Sequence, residues 1–141
     1  MSMSGTLERK REQRLSGPFA CILVVDDSKD CADSLCMLLT LLGYEAVAVY
    51  DGLQALERTK SFRPDVVVLD IGLPGIDGCE VARRLRTLPA LQNVLLIALT
   101  GYGQEKDRRA SFEAGINYHM VKPLDPEVIR KLISAHVVER N

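Results

Sequence analysis

The sequence lacks several features that would assign it to a class at once. No apolar run approaches the roughly eighteen residues of a membrane-spanning helix, and the amino terminus has no apolar segment typical of a secretion signal. Neither sign of charge dominates, with 18 basic and 19 acidic residues. We therefore expect a cytoplasmic protein that binds neither nucleic acid nor membranes directly.

The cysteine pattern lacks the spacing of a metal site or a redox motif. The four cysteines contain no C-x-x-C pair and have no histidine at a spacing typical of zinc: Cys21, Cys31, Cys36 and Cys79. Scattered cysteines of this kind are typical of reduced thiols in a reducing compartment. A disulfide framework is not expected.

What the sequence does have is enough apolar content for one core, at 47% of 141 residues. Residues 1–18 are polar and show no periodic apolar face, so we predict a flexible tail or linker there. The remaining pattern predicts a single domain over residues 19–140.

Apolar runs alternate with helical patterns along this domain. The runs are residues 21–25, 44–50, 66–69, 94–99 and 117–121. Helices are expected after each run, and the second of them is marked by Leu53, Ala55, Leu56 and Phe62. The helix expected over residues 104–114 has the thinnest apolar stripe and should be the least firmly packed. Right-handed crossovers then predict an α/β, flavodoxin-like (βα)5 fold, a three-layer αβα sandwich with parallel strand order 2-1-3-4-5.

Polar side chains follow four of the predicted strands. Asp26 and Asp27 close the first strand, Asp70 the third, Thr100 the fourth and Lys122 the fifth. The carboxyl ends of parallel strands share one edge of a sheet, so these side chains should converge. Three carboxylates that close repel one another unless a cation lies between them, and an all-oxygen cluster suits Mg²⁺, or Mn²⁺ in its place.

Each of these residues alone has an ordinary explanation, because an aspartate after a strand is usually a turn former or a helix cap. The combination at the ends of several strands favours a site instead. A metal beside a hydroxyl and an ammonium suits phosphoryl transfer, with Asp70 as the nucleophile and Lys122 offsetting the charge of the phosphoryl oxygens.

On these residues the chain resembles the receiver domain of two-component response regulators. The resemblance covers residues 20–138 and rests on four motifs: VVDDS at 24–28, LDIGLPGIDG at 69–78, ALTG at 98–101 and VKP at 121–123. It implies that a histidine kinase or a phosphotransfer protein donates a phosphoryl group to Asp70. It also implies that Asp27, Asp70 and the backbone carbonyl of Gly72 bind Mg²⁺ directly, and that Asp26 binds it through water.

The resemblance further implies a conformational switch. The Thr100 hydroxyl would move to the new phosphoryl group and signal to a downstream protein through the face formed by the fourth and fifth strands and their helices. Such a domain is a signalling phosphoacceptor rather than an enzyme, with intrinsic autophosphorylation and autodephosphorylation. Many receivers have Tyr or Phe where this chain has His119, which could fill that position or act as a pH sensor or relay. Gly72 has no side chain to orient water, so Tyr102 is expected to influence the phosphoryl lifetime.

Two other functions fit the same architecture less well. A Mg²⁺-dependent phosphohydrolase with an aspartyl-phosphate intermediate would need a second acid two residues after Asp70, where this chain has Gly72. A nucleotide or flavin binder would need a glycine-rich loop after the first strand. The receiver is expected to act without an attached output domain, as a single-domain regulator or a relay, or to belong to a hybrid kinase.

Overall fold

A computed structural model describes residues 20–101 and 113–140 of the chain. The predicted tail over 1–18, most of the helix predicted over 104–114, and Tyr102 lie outside these residues. The described elements are β1 (Cys21–Val25), α1 (Lys29–Leu41), β2 (Glu45–Val49), α2 (Gly52–Arg58), β3 (Val66–Asp70), α3 (Gly78–Thr87), a 3₁₀ turn (Pro89–Leu91), β4 (Leu95–Thr100), β5 (Tyr118–Val121) and α4 (Pro126–Arg140).

The five strands form one parallel sheet in the order β2-β1-β3-β4-β5, which confirms the predicted topology. β3 is central, and its residue Leu69 is in register with Val25 of β1 and with Ala98 of β4. The carboxyl ends of β1 and β3 therefore lie side by side. Any side chains that follow these two strands share one edge of the sheet.

The central strands are buried on both faces, which is why their sequences show no alternation of apolar and polar residues. Every residue of β1, β3 and β4 is buried. One face of the sheet packs against α2 and α3, where Leu85 is fully buried. The other face packs against α1 and α4, where Leu39, Ile129 and Ile133 are buried. The predicted three-layer sandwich is confirmed.

Three helices begin at a side-chain cap directly after a loop. The Ser28 hydroxyl accepts a hydrogen bond from the Cys31 amide at 3.4 Å, and Asp51 accepts from the Gln54 amide at 2.7 Å. Asp77 accepts in the same way from the Glu80 amide at 2.9 Å. Each such cap contributes about 1 kcal/mol to stability and fixes where the helix starts.

The second helix ends earlier than the sequence predicts. α2 ends at Arg58, so the placement of Phe62 on this helix is wrong. Phe62 is nevertheless buried, and the guanidinium of Arg58 lies 5.5 Å from the centre of its ring. Leu53, expected on the packed stripe, is 64% exposed. A helix of seven residues makes only two turns, so it cannot bury a full apolar stripe.

The longest described helix is α4, with 15 residues. It begins at Pro126, and the Asp125 side chain accepts a hydrogen bond from the Glu127 amide at 2.9 Å. Ile129 and Ile133 pack against the sheet, while Lys131 is exposed. Among the residues that the structure describes, no helix combines the length and the apolar character needed to cross a bilayer.

Candidate functional site

Three carboxylates meet at the carboxyl edge of the sheet. Asp26 and Asp27 follow β1, Asp70 ends β3, and one oxygen from each lies within 4.8 Å of the other two. Asp26 and Asp70 are buried, with exposures of 3% and 6%, whereas Asp27 is exposed. The pairing of β1 with β3 brings these residues together although they are more than forty positions apart in the chain.

Backbone amides fix one oxygen of each buried carboxylate. The Gly72 amide donates a hydrogen bond to Asp70 Oδ1 at 2.9 Å, and the Ser28 amide donates to Asp26 Oδ1 at 2.9 Å. The other oxygen of each carboxylate, Oδ2, accepts a hydrogen bond from Lys122 Nζ, at 3.0 Å for Asp26 and 3.1 Å for Asp70. The two carboxylates are thus held by the loops on one side and share one ammonium on the other.

Burial and charge shift the titration of this cluster. Burial raises the pKa of Asp70, and the nearby Asp26 adds to the rise. The hydrogen bonds from the Gly72 amide and Lys122 lower the pKa of Asp70 without cancelling the effect of burial. Burial lowers the pKa of Lys122, but its contacts with the two carboxylates outweigh this, so its pKa is raised overall. Lys122 is therefore charged at neutral pH.

Lys122 is positioned by the end of β5. Its backbone amide donates a hydrogen bond to the Thr100 carbonyl at 2.9 Å, which continues the pairing of β4 with β5 by one residue. The Lys122–Pro123 peptide bond is cis. The Lys122 side chain then reaches over the end of β4 to the carboxylates of β1 and β3.

Thr100 and His119 lie on the two strands beside the carboxylates. The Thr100 side chain is fully buried, and its hydroxyl donates a hydrogen bond to the Met120 carbonyl at 3.3 Å. His119 is half-buried in β5, in register with Ala98 of β4. The structure therefore places Asp26, Asp27, Asp70, Thr100 and Lys122 at neighbouring strand ends, with His119 inside β5 and Gly72 in the loop after β3. Their individual roles stay predictions.

The donor set fits a divalent cation of the Mg²⁺ type. Three carboxylates face one ammonium, which leaves the cluster with excess negative charge. Oxygen ligands are those that Mg²⁺ and Mn²⁺ prefer, and a site with an exposed member such as Asp27 leaves room for water. The residues present are thus suited to bind the metal that the sequence predicts.

Sequence reasoning missed the packing role of Gly78. A Cβ atom at this position would lie 2.6 Å from the Asp70 carbonyl oxygen and 2.8 Å from the Ile71 Cα. The Gly78 amide also donates a hydrogen bond to the Ile71 carbonyl at 3.2 Å. The glycine that follows the Asp77 cap was the available signal, but the close approach depends on how the loop folds back.

A cavity beside the carboxylates also had no sequence signal. It has a volume of about 430 Å³ and lies between α1 and the segment that follows β5. Asp26 and Lys122 line it together with apolar side chains, among them Leu35, Leu38 and Leu99. The Asp26 carboxylate therefore borders a concave apolar surface rather than open solvent alone.

Comparison with known proteins agrees with this arrangement. Residues 22–134 match the family described as Response regulator receiver domain. The chain is 34% identical over 116 residues to sporulation initiation phosphotransferase F of Bacillus subtilis, covering 82% of this chain and 92% of that protein. It is also 34% identical over 114 residues to the alkaline phosphatase synthesis transcriptional regulatory protein PhoP of the same organism. That match covers 81% of this chain and 47% of PhoP, so the chain spans about half the length of that regulator.

A solved structure shows the same fold. The receiver domain of a sensor histidine kinase from Pseudomonas aeruginosa, determined with a magnesium ion coordinated in the active-site cleft, superposes with a TM-score of 0.76. It is 28% identical and the match covers 85% of this chain and 98% of that one. These relationships do not favour the phosphohydrolase alternative. From its sequence match and its fold, the chain belongs to the response regulator receiver domain family.

Proposed function

We propose that this receiver domain accepts a phosphoryl group on Asp70 from a phosphohistidine of a histidine kinase or a phosphotransfer protein. The observation that carries the proposal is the position of Asp70 at the end of the central strand, where its carboxylate shares Lys122 with Asp26. Asp70 is the natural nucleophile because a loop held by the Gly72 amide presents it at the shared strand edge.

The chemistry is an in-line displacement at phosphorus. A carboxylate oxygen of Asp70 forms a bond to phosphorus as the bond from phosphorus to the donor imidazole nitrogen breaks. The electron pair of the broken bond stays on that nitrogen, which then takes up a proton from solvent. Lys122, which is charged at neutral pH, offsets the negative charge on the phosphoryl oxygens.

Asp27, Asp70 and the Gly72 backbone carbonyl would hold Mg²⁺ directly, and Asp26 would hold it through water. When bound, the ion neutralises phosphoryl oxygens that three carboxylates would otherwise repel. Asp26 and Lys122 keep the Asp70 carboxylate oriented through their shared hydrogen bonds. The same arrangement would support autophosphorylation from small phosphodonors and autodephosphorylation.

The output is a change in the strands next to Asp70. The Thr100 hydroxyl, which donates to the Met120 carbonyl at 3.3 Å, would turn to the phosphoryl group. Its turning removes a link between β4 and β5 and alters the face that these strands form with their helices. His119 on β5 would follow this change, and a downstream protein would read it. The domain that performs this switch would extend over residues 19–140.

The test is incubation with Mg²⁺ and acetyl phosphate, followed by mass spectrometry of the intact protein. We expect an adduct with the mass of one phosphoryl group, stable in acid and labile in base, that Asp70→Asn abolishes. Asp30→Asn, which removes an exposed carboxylate from the first turn of α1, is the matched control and should keep the adduct. Rapid turnover of a phosphate ester with no adduct, or an adduct that persists in Asp70→Asn, would overturn the proposal.

A second measurement tests the metal site separately. Mg²⁺ at a hundred times its dissociation constant should raise the free energy of unfolding by about 2.7 kcal/mol. Asp27→Asn should weaken this effect, whereas Glu127→Gln on the exposed side of α4 should leave it unchanged. Equal stabilisation of both variants would place the metal elsewhere.

A further inference from the structure

A concave surface that belongs to no site discussed so far lies between the ends of α2 and α3. We call it the basic cavity, because Lys60, Arg63 and Arg84 line it. It has a volume of about 700 Å³ and is closed by the turn that precedes β4. Its floor is apolar and includes Leu56, Leu88 and Leu91. Cavities of this size that are mostly apolar with a few polar groups are typical of small-molecule sites.

The polar groups of the basic cavity are biased to one sign of charge. Lys60, Arg63 and Arg84 line it, and none of its described lining residues is acidic. The two stretches that line it, residues 56–63 and 84–91, contain one acidic residue, Glu57, and five basic ones: Arg58, Lys60, Arg63, Arg84 and Arg86. This excess stands out in a chain whose formal net charge is −1.

The hydroxyl groups of the basic cavity cannot serve as its main donors. Thr59 Oγ1 donates to the Leu56 carbonyl at 2.7 Å, and Thr87 Oγ1 donates to the Arg84 carbonyl at 2.6 Å. Ser61 Oγ donates to the Arg58 carbonyl at 3.4 Å. The donors left for a ligand are therefore the cationic side chains, which select an acceptor that carries negative charge.

Among the described residues, two of the three cations, Lys60 and Arg84, already contact a carboxylate, whereas Arg63 does not. Lys60 pairs with Glu57 at 3.0 Å, and Arg84 lies 3.7 Å from Glu80. Both contacts are exposed, so they are weak. Within the described ranges, no carboxylate lies within 4.0 Å of Arg63, which also lies outside any helix. Unlike Arg84 in the last turn of α3, Arg63 does not act by complementing a helix dipole.

We propose that the basic cavity binds an amphipathic organic anion, a small molecule with one carboxylate or phosphate group on an apolar body. The apolar body contacts Leu56, Leu88 and Leu91, and the anionic group contacts Arg63 with Arg84 or Lys60. The occupant does not compete with phosphorylation, because the turns after α2 and α3 lead to the amino ends of β3 and β4. At about 3.3 Å per residue, the length of β3 puts Asp70 on the order of 15 Å away.

The probe is 2-naphthoate, added to the ¹⁵N-labelled full chain and followed by NMR. We expect saturable shifts of the amides around the basic cavity, including Thr59, Ser61 and Leu88. The neutral 2-naphthamide has nearly the same shape and should bind about tenfold more weakly, because it cannot make charge-assisted hydrogen bonds. Acetate, which lacks the apolar body, should not bind measurably.

Arg63→Gln should weaken 2-naphthoate binding about tenfold, and Lys131→Gln on the exposed side of α4 should not change it. Thermal unfolding of both variants checks that folding is retained, and Arg84→Gln serves as a second variant in the cavity. Shifts that map to other residues, equal binding of 2-naphthamide, or unchanged binding in both arginine variants would overturn the proposal. Because the readout contains no phosphoryl group, it is independent of the function proposed for Asp70.

Discussion

Lys122 Nζ lies 3.1 Å from Asp70 Oδ2 although their strands are not neighbours in the sheet. β4 lies between β3, which ends at Asp70, and β5, which precedes Lys122. The same ammonium also reaches Asp26 after β1, 3.0 Å away. One side chain therefore links the ends of three strands and connects the Asp70 carboxylate to the end of β5.

Removing this ammonium should raise the pKa of Asp70 further. The hydrogen bond and the charge of Lys122 both lower that pKa, against the larger effect of burial. We expect Lys122→Gln to shift the Asp70 titration to higher pH in metal-free buffer, measured by ¹³C NMR of the carboxyl carbon. Lys131→Gln, an exposed lysine on α4, should leave the titration unchanged. An unchanged or lower Asp70 pKa in Lys122→Gln would contradict the ion pair.

Asp70→Asn should stabilise the metal-free protein at neutral pH. A carboxyl with a raised folded-state pKa binds more protons in the folded state than in the unfolded state between the two pKa values. Stability is therefore lost as pH rises from the ordinary value of 3.8 through the raised value, and the ionised Asp70 destabilises the fold above it. Urea unfolding across this range should show a stability advantage of Asp70→Asn that disappears at low pH. An advantage of the parent at pH 7 without metal would show that the Lys122 contact outweighs burial.

Gly78→Ala should destabilise the protein by about 1 to 3 kcal/mol, as overpacking does. The added Cβ would lie 2.6 Å from the Asp70 carbonyl oxygen, so the loop that carries Asp70 must move. Gly75→Ala is the matched control in the same loop, because its φ of +75° is strained for alanine but no atom lies within 4 Å of the added Cβ. Its cost should be about 1 to 2 kcal/mol. Only Gly78→Ala should also slow phosphorylation by acetyl phosphate. Equal phosphorylation rates in the two variants would argue against a movement of the loop that carries Asp70.

Replacement of Arg86 by lysine should lower the stability of the fold. Its guanidinium donates to the Gly115 carbonyl at 2.8 Å, to the Val94 carbonyl at 2.8 Å and to Asn117 Oδ1 at 2.9 Å. These bonds tie the end of α3 to the segments that precede β4 and β5. A lysine cannot reproduce the planar fork, so Arg86→Lys should cost about 1 to 3 kcal/mol because the partly buried carbonyls of Val94 and Gly115 lose their partners.

The control for this substitution is Arg83→Lys. Arg83 is on the same helix but is half exposed and lies 3.8 Å from Glu80, so its loss should change stability by less than about 1 kcal/mol. Chemical unfolding measures both variants. A similar small cost for Arg86→Lys would mean that water replaces the guanidinium contacts.

The sequence by itself determined the fold and the set of polar strand ends. Unbroken apolar runs such as 66–69 indicate a strand buried on both faces, and the spacing of Leu53, Ala55 and Leu56 indicates the helix that follows β2. These signals depend only on residues that are close together in the chain, so they can be recognised without knowledge of the packing. The carboxylates could be named because the end of a strand is also a local feature.

Only the tertiary structure decided which groups touch. It placed Lys122 across β4 in contact with Asp70, and it placed Gly78 so close to the Asp70 carbonyl that a Cβ atom would not fit there. It also ended α2 before Phe62 and brought the cations of the basic cavity together. Each of these depends on distances between residues far apart in the chain. Such distances are set by how helices pack on the sheet, where side-chain volumes across several elements must fit together at once.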